Sequence, residues 1–453
     1  MNHWFRMVAI HIGFCMFVGV FAANLAVAAL SLQTSFNVTE TYTDNLFFAD
    51  GDREDDFGTL VGPDITLLFQ NPDIVVGATY AGRLSFYIKN SDVNRYNQNA
   101  NIILDLPFLT KHYQGLTVKI DESMNFTPQL DGFSLSEAQN ASNLRGGNPN
   151  LSGSVASGSG AGTGGGALGG GTGGTQGVVS QRASAFLNRA GVTFGYAWTP
   201  RVTMSLRYLN QYRHFFSKGF QDSLGHTGSF SVPYRATEYT RVTPSYSYRQ
   251  TDFLGKSTQA TSADRIISHN ARLGLTHAFT PSLSGTISGG VSFVKQVGAT
   301  EQVPVAAGGT QERTVGGKFV TRYIGHVNLT KTFQRGTMSV SANEAIGSGG
   351  GFASQATRTR TVTGQGNYAV TPRMNAFASA GWANNDSIDG DAFDITTYRV
   401  QTGLSYSFIQ WLFGSLNYSR IDQRSKGSVA RDVVVNQVFL SLTAVADPWF
   451  LIR

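Results

Sequence analysis

Apolar and polar residues alternate along many segments of the chain. Near the start, Leu30, Leu32, Phe36 and Val38 share one phase with Thr34, whereas polar residues occupy positions 31, 33, 35, 37 and 39. A period of two predicts a β-strand with one apolar and one polar face. The same pattern returns in 116–127, 202–208 and 283–293. The chain is therefore expected to consist mainly of amphipathic strands.

The lengths of these segments and of their connections indicate a membrane barrel. Soluble strands average about five or six residues, whereas a tilted membrane-spanning strand needs roughly 9 to 11. Short turns such as Asn71-Pro72-Asp73 and Thr280-Pro281-Ser282 alternate with long polar connections. The long connections are expected near 45–56, 128–183, 215–236, 296–317, 346–356, 385–394 and 423–431. Short turns at one end and long loops at the other are typical of an outer-membrane barrel.

The alternation predicts an all-β fold, namely a transmembrane antiparallel up-and-down β-barrel of about eighteen strands formed by residues 29–453. Segments 237–250 and 253–262 are assigned as the eighth and ninth strands. The second of them is weak, and it is included because the turn at 280–282 otherwise falls at the wrong end. Without it the count is about sixteen.

Residues 1–28 have the organisation of a secretory signal peptide. Arg6 precedes an apolar run over 7–25, and small residues follow at 26–29. The alternative is a membrane anchor, because the run approaches the ~20 residues that span a bilayer. Cleavage would remove Cys15, the only cysteine, and lower the net charge from +6 to +5 by removing Arg6. The mature barrel is expected in the bacterial outer membrane.

Aromatic and charged residues indicate which face is outside. Large aromatics share the apolar phase near turns and strand ends, as interfacial girdles require. They are Tyr196, Trp198, Phe279, Phe333, Tyr368, Trp382, Tyr406, Phe408, Trp411 and Phe413. Most strand charges occupy the opposite phase, which predicts that they line the lumen. The candidate lumen-lining residues are Arg83, Lys119, Arg189, Arg207, Arg241, Arg272, Arg322 and Arg399.

These inward cations suggest two roles. They would concentrate anionic solutes or an acidic polymer in the lumen. Alternatively, they pair with inner acids such as Asp64 and Asp121 and brace the barrel. Glu40 and Glu122 are exceptions, because each shares the phase of its apolar neighbours. A β-bulge or a local change of register at Glu122 is expected, since a carboxylate facing hydrocarbon is costly.

The connection 128–183 contains a segment, 153–177, that consists almost entirely of Gly, Ala, Ser and Thr. Such a composition buries too little apolar surface to offset the entropy of ordering. It predicts a mobile loop, which either projects outward or folds inward as a constriction. Its Gly-x-Gly spacings lack the strand and helix that frame a phosphate-binding loop.

Catalysis is the main alternative from another functional class. Ser268-His269-Asn270 suggests an outer-membrane lipid hydrolase, because His269 has the lipid-facing phase. No nucleophile can be assigned, so no catalytic residue, metal ligand or cofactor is expected, and nothing indicates nucleic-acid binding. The acidic residues among 50–56 suggest either calcium binding or a solvated loop that bridges lipopolysaccharide.

The segment Glu40-Thr41-Tyr42-Thr43-Asp44-Asn45-Leu46-Phe47, the acidic residues after it and Gly62-Pro63 resemble a known family. These are outer-membrane β-barrel porins, including those associated with exopolysaccharide and exosortase (PEP-CTERM) loci. The resemblance is most specific over residues 30–127. It implies a porin-like channel that serves polysaccharide export, and it supplies no catalytic residues. One departure is the tail, where Pro448 should interrupt the closing strand.

The sequence thus predicts a passive porin-like channel for polysaccharide or other hydrophilic solutes. The expected partners are outer-membrane lipid and lipopolysaccharide, the barrel-insertion machinery and polysaccharide export components. A surface-structural or adhesive barrel with a plugged lumen is the alternative.

Overall fold

The computed structural model describes most of the chain that follows the predicted signal peptide. The described residues are 29–127, 184–216, 221–254, 261–298, 300–305, 309–314, 317, 319–348, 356–388, 393–427 and 432–452. The predicted signal peptide (1–28) and the Gly-rich connection (128–183) lie outside them.

Eighteen antiparallel strands form a closed barrel. They are β1 (Ala29–Thr43), β2 (Asp56–Gln70), β3 (Val75–Tyr87), β4 (Arg95–Asp105), β5 (Leu116–Thr127), β6 (Ala185–Thr199), β7 (Val202–Phe215), β8 (Asp222–Ser231), β9 (Thr240–Leu254), β10 (Arg265–Thr280), β11 (Leu283–Val297), β12 (Phe319–Phe333), β13 (Gly336–Ser348), β14 (Ala356–Thr371), β15 (Met374–Ser387), β16 (Phe393–Ile409), β17 (Leu412–Gly427) and β18 (Val433–Val445). Each strand pairs with the next, and β18 pairs with β1. The predicted architecture is confirmed.

The two faces of the wall are the reverse of those in a soluble protein. On β1, the polar side chain of Asn37 is 3% exposed, whereas its neighbour Phe36 is 51% exposed. Asn37 lies opposite Thr443 of β18 and Gly62 of β2, so all three face the interior. A closed barrel that is apolar outside and polar inside satisfies its backbone within a membrane. The fold is that of an outer-membrane β-barrel.

Aromatic side chains form a girdle at the short-turn end. Eight of the ten predicted members are exposed on the outer face or in a turn, as Trp198, Phe279 and Phe333 are. Trp382 is half-buried on the outer face in the long-loop half of β15, and Phe413 is buried on the inner face, opposite Ser407. Leu416 and Tyr418 of the same strand face outward, so the period of two along β17 places Phe413 inside.

The predicted eighth and ninth strands were wrong in their bounds although the total was right. Segment 222–231, assigned to a loop, forms β8, whereas β9 extends to Leu254 and takes in the start of the segment assigned as the ninth strand. Residues 255–260 lie outside the described part. The outer phase of β8 consists of Asp222, Leu224, His226, Gly228 and Phe230, whose alternation is too weakly apolar to indicate a strand.

Glu122 faces outward without a bulge, so the expected irregularity was wrong. The register of β5 is continuous with both β4 and β6, and it places Glu122 beside Ile102 and Ala190. Asn188 of β6 donates a hydrogen bond of 2.9 Å to Glu122 Oε1. Glu40 is similarly held on the outer face by Thr59, at 2.9 and 3.0 Å. A hydrogen bond reduces the cost of an outward carboxylate.

Smaller elements complete the chain. They are a 3₁₀ turn (Ser91–Val93), a helix (Pro107–His112) and short strands at Tyr234–Arg235, Thr261–Ser262, Thr300–Val305, Gly309–Thr314 and Trp449–Ile452. After Val445 the closing ladder is interrupted and resumes when Trp449–Ile452 pairs with β1, as Pro448 predicts. Within the described part, no helix combines the length and apolarity needed to cross a membrane.

Candidate functional site on the inner wall

The register places all eight predicted lumen-lining residues on the inner face. In a β-ladder, residues that lie opposite each other point to the same side. The pairs are Arg83 with Asn97, Lys119 with Asp105, Arg189 with Gln211, Arg207 with Ser229, Arg241 with Thr276, Arg272 with Gly290, Arg322 with Ser292 and Arg399 with Gly381.

Two of these cations brace the wall. The guanidinium of Arg83 donates to both carboxylate oxygens of Asp64, each at 2.8 Å, and its side chain is almost fully buried. Arg207 donates to Asp121 at 3.0 Å. Both acids are those that the sequence offered as partners, so the bracing role applies to these two arginines.

The inner wall also carries arginines that the sequence prediction omitted, and two of them lie on β7 and β9. Arg213 lies opposite Leu187 near the long-loop end of β7. Arg249 lies opposite Ser268 and is exposed to the interior. Each stands at or near the end of its predicted segment, yet each has the inward phase. Strict continuation of the alternation would have identified both.

Charge is segregated around the inner wall. In the described strands, the inward acids are Asp56, Asp64, Asp105 and Asp121, all on β2 to β5. From β6 to β12 the described inner positions include no acid, and the arginines there are Arg189, Arg207, Arg213, Arg241, Arg249, Arg272 and Arg322. These seven arginines thus occupy one continuous sector of the wall, in which the described strands contribute no inward acid.

The central members of this sector are close enough to repel one another. Arg189 interacts electrostatically with Arg207 and Arg249, and Arg249 also interacts with Arg272. We call these four residues the arginine strip. Apart from the contact of Arg207 with Asp121, no ion pair involves the strip within the described part of the chain. Guanidinium groups that outnumber nearby carboxylates generate a positive potential along the wall.

Buried polar atoms on the inner wall point to a hydrated interior. Several have no hydrogen-bond partner among the described residues, and all of them lie on inward-facing positions. They include Asn97 Oδ1, Asn125 Oδ1, Arg189 Nε, Ser292 Oγ, His326 Nδ1, Asn343 Oδ1, Asn417 Oδ1 and Ser419 Oγ. Buried polar groups in native proteins are almost always satisfied. Water or a polar solute inside the barrel would satisfy these.

The connection between β1 and β2 folds into the mouth of the barrel. Phe48 packs against Ile421, Val433 and Val435, which have inward positions on β17 and β18. Asn45 fixes the bend, since its side chain donates to the carbonyl oxygens of Ala49 (2.8 Å) and Val434 (3.1 Å) and accepts from the Ala49 amide (2.9 Å). This segment narrows the long-loop end.

Phe48→Ala should widen this mouth. Removing a buried Phe side chain costs about 3–5 kcal/mol, which weakens the packing of this segment against β17 and β18. We expect a larger single-channel conductance with more frequent current fluctuations, measured in planar bilayers. Phe57→Ala, which removes an exposed aromatic from the outer face nearby, is the matched control and should leave the conductance unchanged. Equal conductance in both variants would contradict a constricting role for Phe48.

The acidic residues of the rim have structural roles where the structure defines them. Asp56 is buried and accepts hydrogen bonds from the amides of Phe57 (2.7 Å), Lys89 (3.1 Å) and Asn90 (3.0 Å). Asp55 forms an ion pair with Lys89 at 2.6 Å, which raises the pKa of the Lys89 ammonium. Among the described residues, no group of His, Cys, Asp and Glu side chains is arranged to hold a metal ion.

The Ser268-His269 pair does not form a catalytic dyad. His269 lies on the outer face opposite Tyr248, as its phase predicts, whereas Ser268 is buried on the inner face opposite Arg249. The imidazole Nδ1 is 2.7 Å from the Tyr246 hydroxyl, and Phe319 packs edge-on against the ring. These contacts are those of an aromatic cluster at the membrane interface.

Comparison with known proteins gives a match only at the level of structure, since no family model and no curated protein matches the chain. It is similar to OccK2 (OpdF) of Pseudomonas aeruginosa, at 9% identity and a TM-score of 0.44, over 93% of this chain and 98% of that one. OccAB4 of Acinetobacter baumannii shares 11% identity, with a TM-score of 0.43 over 92% and 98%. An outer-membrane protein of Vibrio cholerae, OmpT without loop L8, shares 11%, with 0.36 over 93% and 100%. These similarities concern the barrel fold.

Proposed function

We propose that the protein is a passive outer-membrane channel that favours anionic hydrophilic solutes. The observation that carries the proposal is the segregation of seven inward arginines on β6 to β12, where the described inner face has no acid. A barrel of sixteen to eighteen strands is wide enough to leave an aqueous passage. A wall of one charge sign raises the local concentration of counter-ions and admits them preferentially.

The setting that we propose is secretion of a cell-surface polysaccharide. Its support is the resemblance of residues 30–127 to barrels associated with exopolysaccharide loci, together with the chemistry of the inner wall. Ser, Thr, Asn and Gln side chains offer many weak, exchangeable hydrogen bonds to a hydroxyl-rich polymer. Conduction requires such repeated weak contacts and no single tight site. Acidic sugar units would be attracted to the arginine strip.

The partners that we propose follow from this placement. Outer-membrane lipid and lipopolysaccharide would surround the apolar outer face, the barrel-insertion machinery would assemble the strands, and polysaccharide export components would deliver the polymer at the short-turn end. A plugged surface-structural barrel is the second candidate, and the inward packing of Phe48 favours it.

Single-channel conductance of the refolded mature protein in a planar bilayer distinguishes the two. A channel gives stable current steps that an acidic oligosaccharide blocks more strongly than a neutral one of equal length. Deletion of residues 153–177 tests whether the Gly-rich connection restricts the current. If neither the mature protein nor the deletion variant gives an ion current, although heat-modifiable gel mobility shows that both are folded, the channel proposal is wrong and the plugged barrel is favoured.

A further inference from the structure

The barrel wall is interrupted between β12 and β13 at the long-loop end. The ladder between these strands stops at Gly325 and Glu344. The flanking ladders continue, because β11 pairs with β12 as far as Phe319 and β13 pairs with β14 as far as Ser348. Within the described part of the chain, no strand pairs with residues 319–324 on their β13 side. We call this interruption the notch.

The notch exists because the end of the β13–β14 hairpin leans into the barrel. Ile346 of β13 joins an apolar cluster with the inward side chains of Ile324 and Val294. The amide of Ala356, at the start of β14, donates to the side chain of Gln296 on β11 at 3.1 Å, across the position of β12. On the outer side, Tyr323 is left 81% exposed. The apolar cluster consists of Phe253, Ile266, Val294, Ile324, Ile346 and Ala356.

The depth of the notch places it at the membrane surface. From Phe333 in the girdle to Ile324, β12 rises by about 22–25 Å, at roughly 3.4 Å per residue and a tilt of 35–45°. The apolar band of such a barrel is ~25 Å tall. The notch therefore opens at the level of the outer-leaflet headgroups, where the unpaired edge is hydrated. An open edge at the hydrocarbon level would leave its backbone groups unsatisfied.

Apolar and cationic groups meet directly behind the notch. Arg322 belongs to the unpaired stretch itself and lies one inward position from Ile324. Arg249 pairs with Ser268, the next inward position after Ile266 of the cluster. An apolar surface that adjoins guanidinium groups suits a molecule with a hydrocarbon chain and an anionic end.

We propose that the notch is a lateral entrance through which single-chain amphipathic carboxylates exchange between the outer leaflet and the lumen. The hydrocarbon chain lies against the apolar cluster, and the carboxylate binds Arg322 and Arg249. The proposal rests on the proposed channel function and adds a second route into the same lumen. The apolar cluster closes this route from the inside when no amphiphile is bound.

Block of the ion current by dodecanoate, with butyrate as the short-chain reference, measures this binding. We expect the blocking concentration of dodecanoate for the refolded mature protein to be at least ~15-fold lower than that of butyrate. This ratio of blocking concentrations corresponds to about two additional buried methylene groups. The variant Thr321→Cys/Ser348→Cys then closes the notch without altering the apolar cluster or Arg322. These positions lie opposite each other if the ladder between β12 and β13 is continued, and a short bifunctional thiol reagent, checked by mass spectrometry, bridges them. Bridging should reduce the ratio to near unity and leave the ion conductance intact.

The control is Asn328→Cys/Ser341→Cys, bridged in the same way. These residues are already opposite each other in the intact part of the same ladder, so bridging there should preserve the dodecanoate preference. Because the only natural cysteine lies in the predicted signal peptide, the engineered pairs are the only thiols of the mature chain. An unchanged preference after bridging at 321 and 348, or no preference in the unbridged protein, would overturn the lateral entrance alone. Absence of ion current in every form would overturn the channel and the entrance together.

Discussion

Replacing Arg249 and Arg272 by Glu should reverse the ion preference of the channel. The two substitutions turn half of the arginine strip acidic and leave the inward phase of β9 and β10 unchanged. Charged linings alter local ion concentrations by ~10-fold or more, so the chloride-to-potassium permeability ratio should fall by about that factor and pass below one. The reversal potential in a KCl gradient measures the ratio. The shift should diminish in 1 M salt, where the Debye length is only about 3 Å.

The matched control is Arg420→Glu/Arg424→Glu. It makes the same change in net charge, but both side chains are exposed on the outer face of β17. Its reversal potential should equal that of the natural sequence. If both double variants shift the potential equally, net charge rather than the inner wall determines selectivity, and the arginine strip has no specific role.

The inner face was predictable because its determinant is local. Side chains on a strand alternate with a period of two whatever the partner strand is, so the phase of one residue fixes the phase of its neighbours. Arg272 and Arg322 were assigned to the interior on that basis, and the register places them there. Segregation of the cations on β6 to β12 follows from the same alternation once the strands are ordered.

The positions of turns and the phases of the residues next to them were less predictable. The alternation of inward and outward side chains does not continue through a turn, so each strand has to be assigned its phase anew. Phe413 was grouped with Trp411, which lies in the turn, whereas Leu416 and Tyr418 within the strand set the opposite phase. In β8, Gly228 and His226 occupy outward positions that an apolar pattern requires to be large and hydrophobic. Pairing with β7 and β9 on both sides stabilises this strand in spite of its weak pattern.

The inward segment at Phe48 and the notch depend on contacts between residues far apart in the chain. Phe48 contacts apolar side chains on β17 and β18. These strands come next to the β1–β2 connection only when β18 pairs with β1 and closes the barrel. The lean of the β13–β14 hairpin depends likewise on cluster members contributed by β9 to β12. Such tertiary packing overrides local pattern, and nothing near Phe48 or Ile346 in the sequence indicates it.

Arg83, which was predicted to line the lumen, also stabilises the barrel wall. The β2–β3 ladder has no pairs at Gly62 and Pro63, where Pro63 cannot donate a backbone hydrogen bond. The Arg83 guanidinium occupies this gap. It donates to the carbonyl oxygens of Pro63 (3.1 Å) and Gly82 (2.7 Å) and to the Asp64 carboxylate. One side chain thus donates to two carbonyl oxygens at the interruption of the ladder and to a neighbouring carboxylate.

Arg83→Met should therefore destabilise the barrel strongly. The substitution keeps an apolar stem but leaves the Asp64 carboxylate and two carbonyl oxygens without their donor. Removing one partner of a buried ion pair costs about 3–5 kcal/mol. We expect a loss of this size in the free energy of unfolding, measured by urea denaturation in lipid vesicles with tryptophan fluorescence. Arg83→Lys should recover only part of the loss, because a single ammonium group cannot reach all three acceptors in the planar geometry of a guanidinium.

The double variant Arg83→Met/Asp64→Asn separates the ion pair from the backbone contacts. Neutralising Asp64 removes the uncompensated charge, so the double variant should regain most of the stability that Arg83→Met loses, with the two unpaired carbonyl oxygens accounting for about 1–3 kcal/mol that remains. If the single and double variants are equally unstable, the carbonyl contacts across the Pro63 gap, and not the ion pair, are the main contribution of Arg83. A loss of unfolding free energy below ~1 kcal/mol in Arg83→Met would show that water entering from the lumen replaces the guanidinium at the Asp64 carboxylate and at the two carbonyl oxygens.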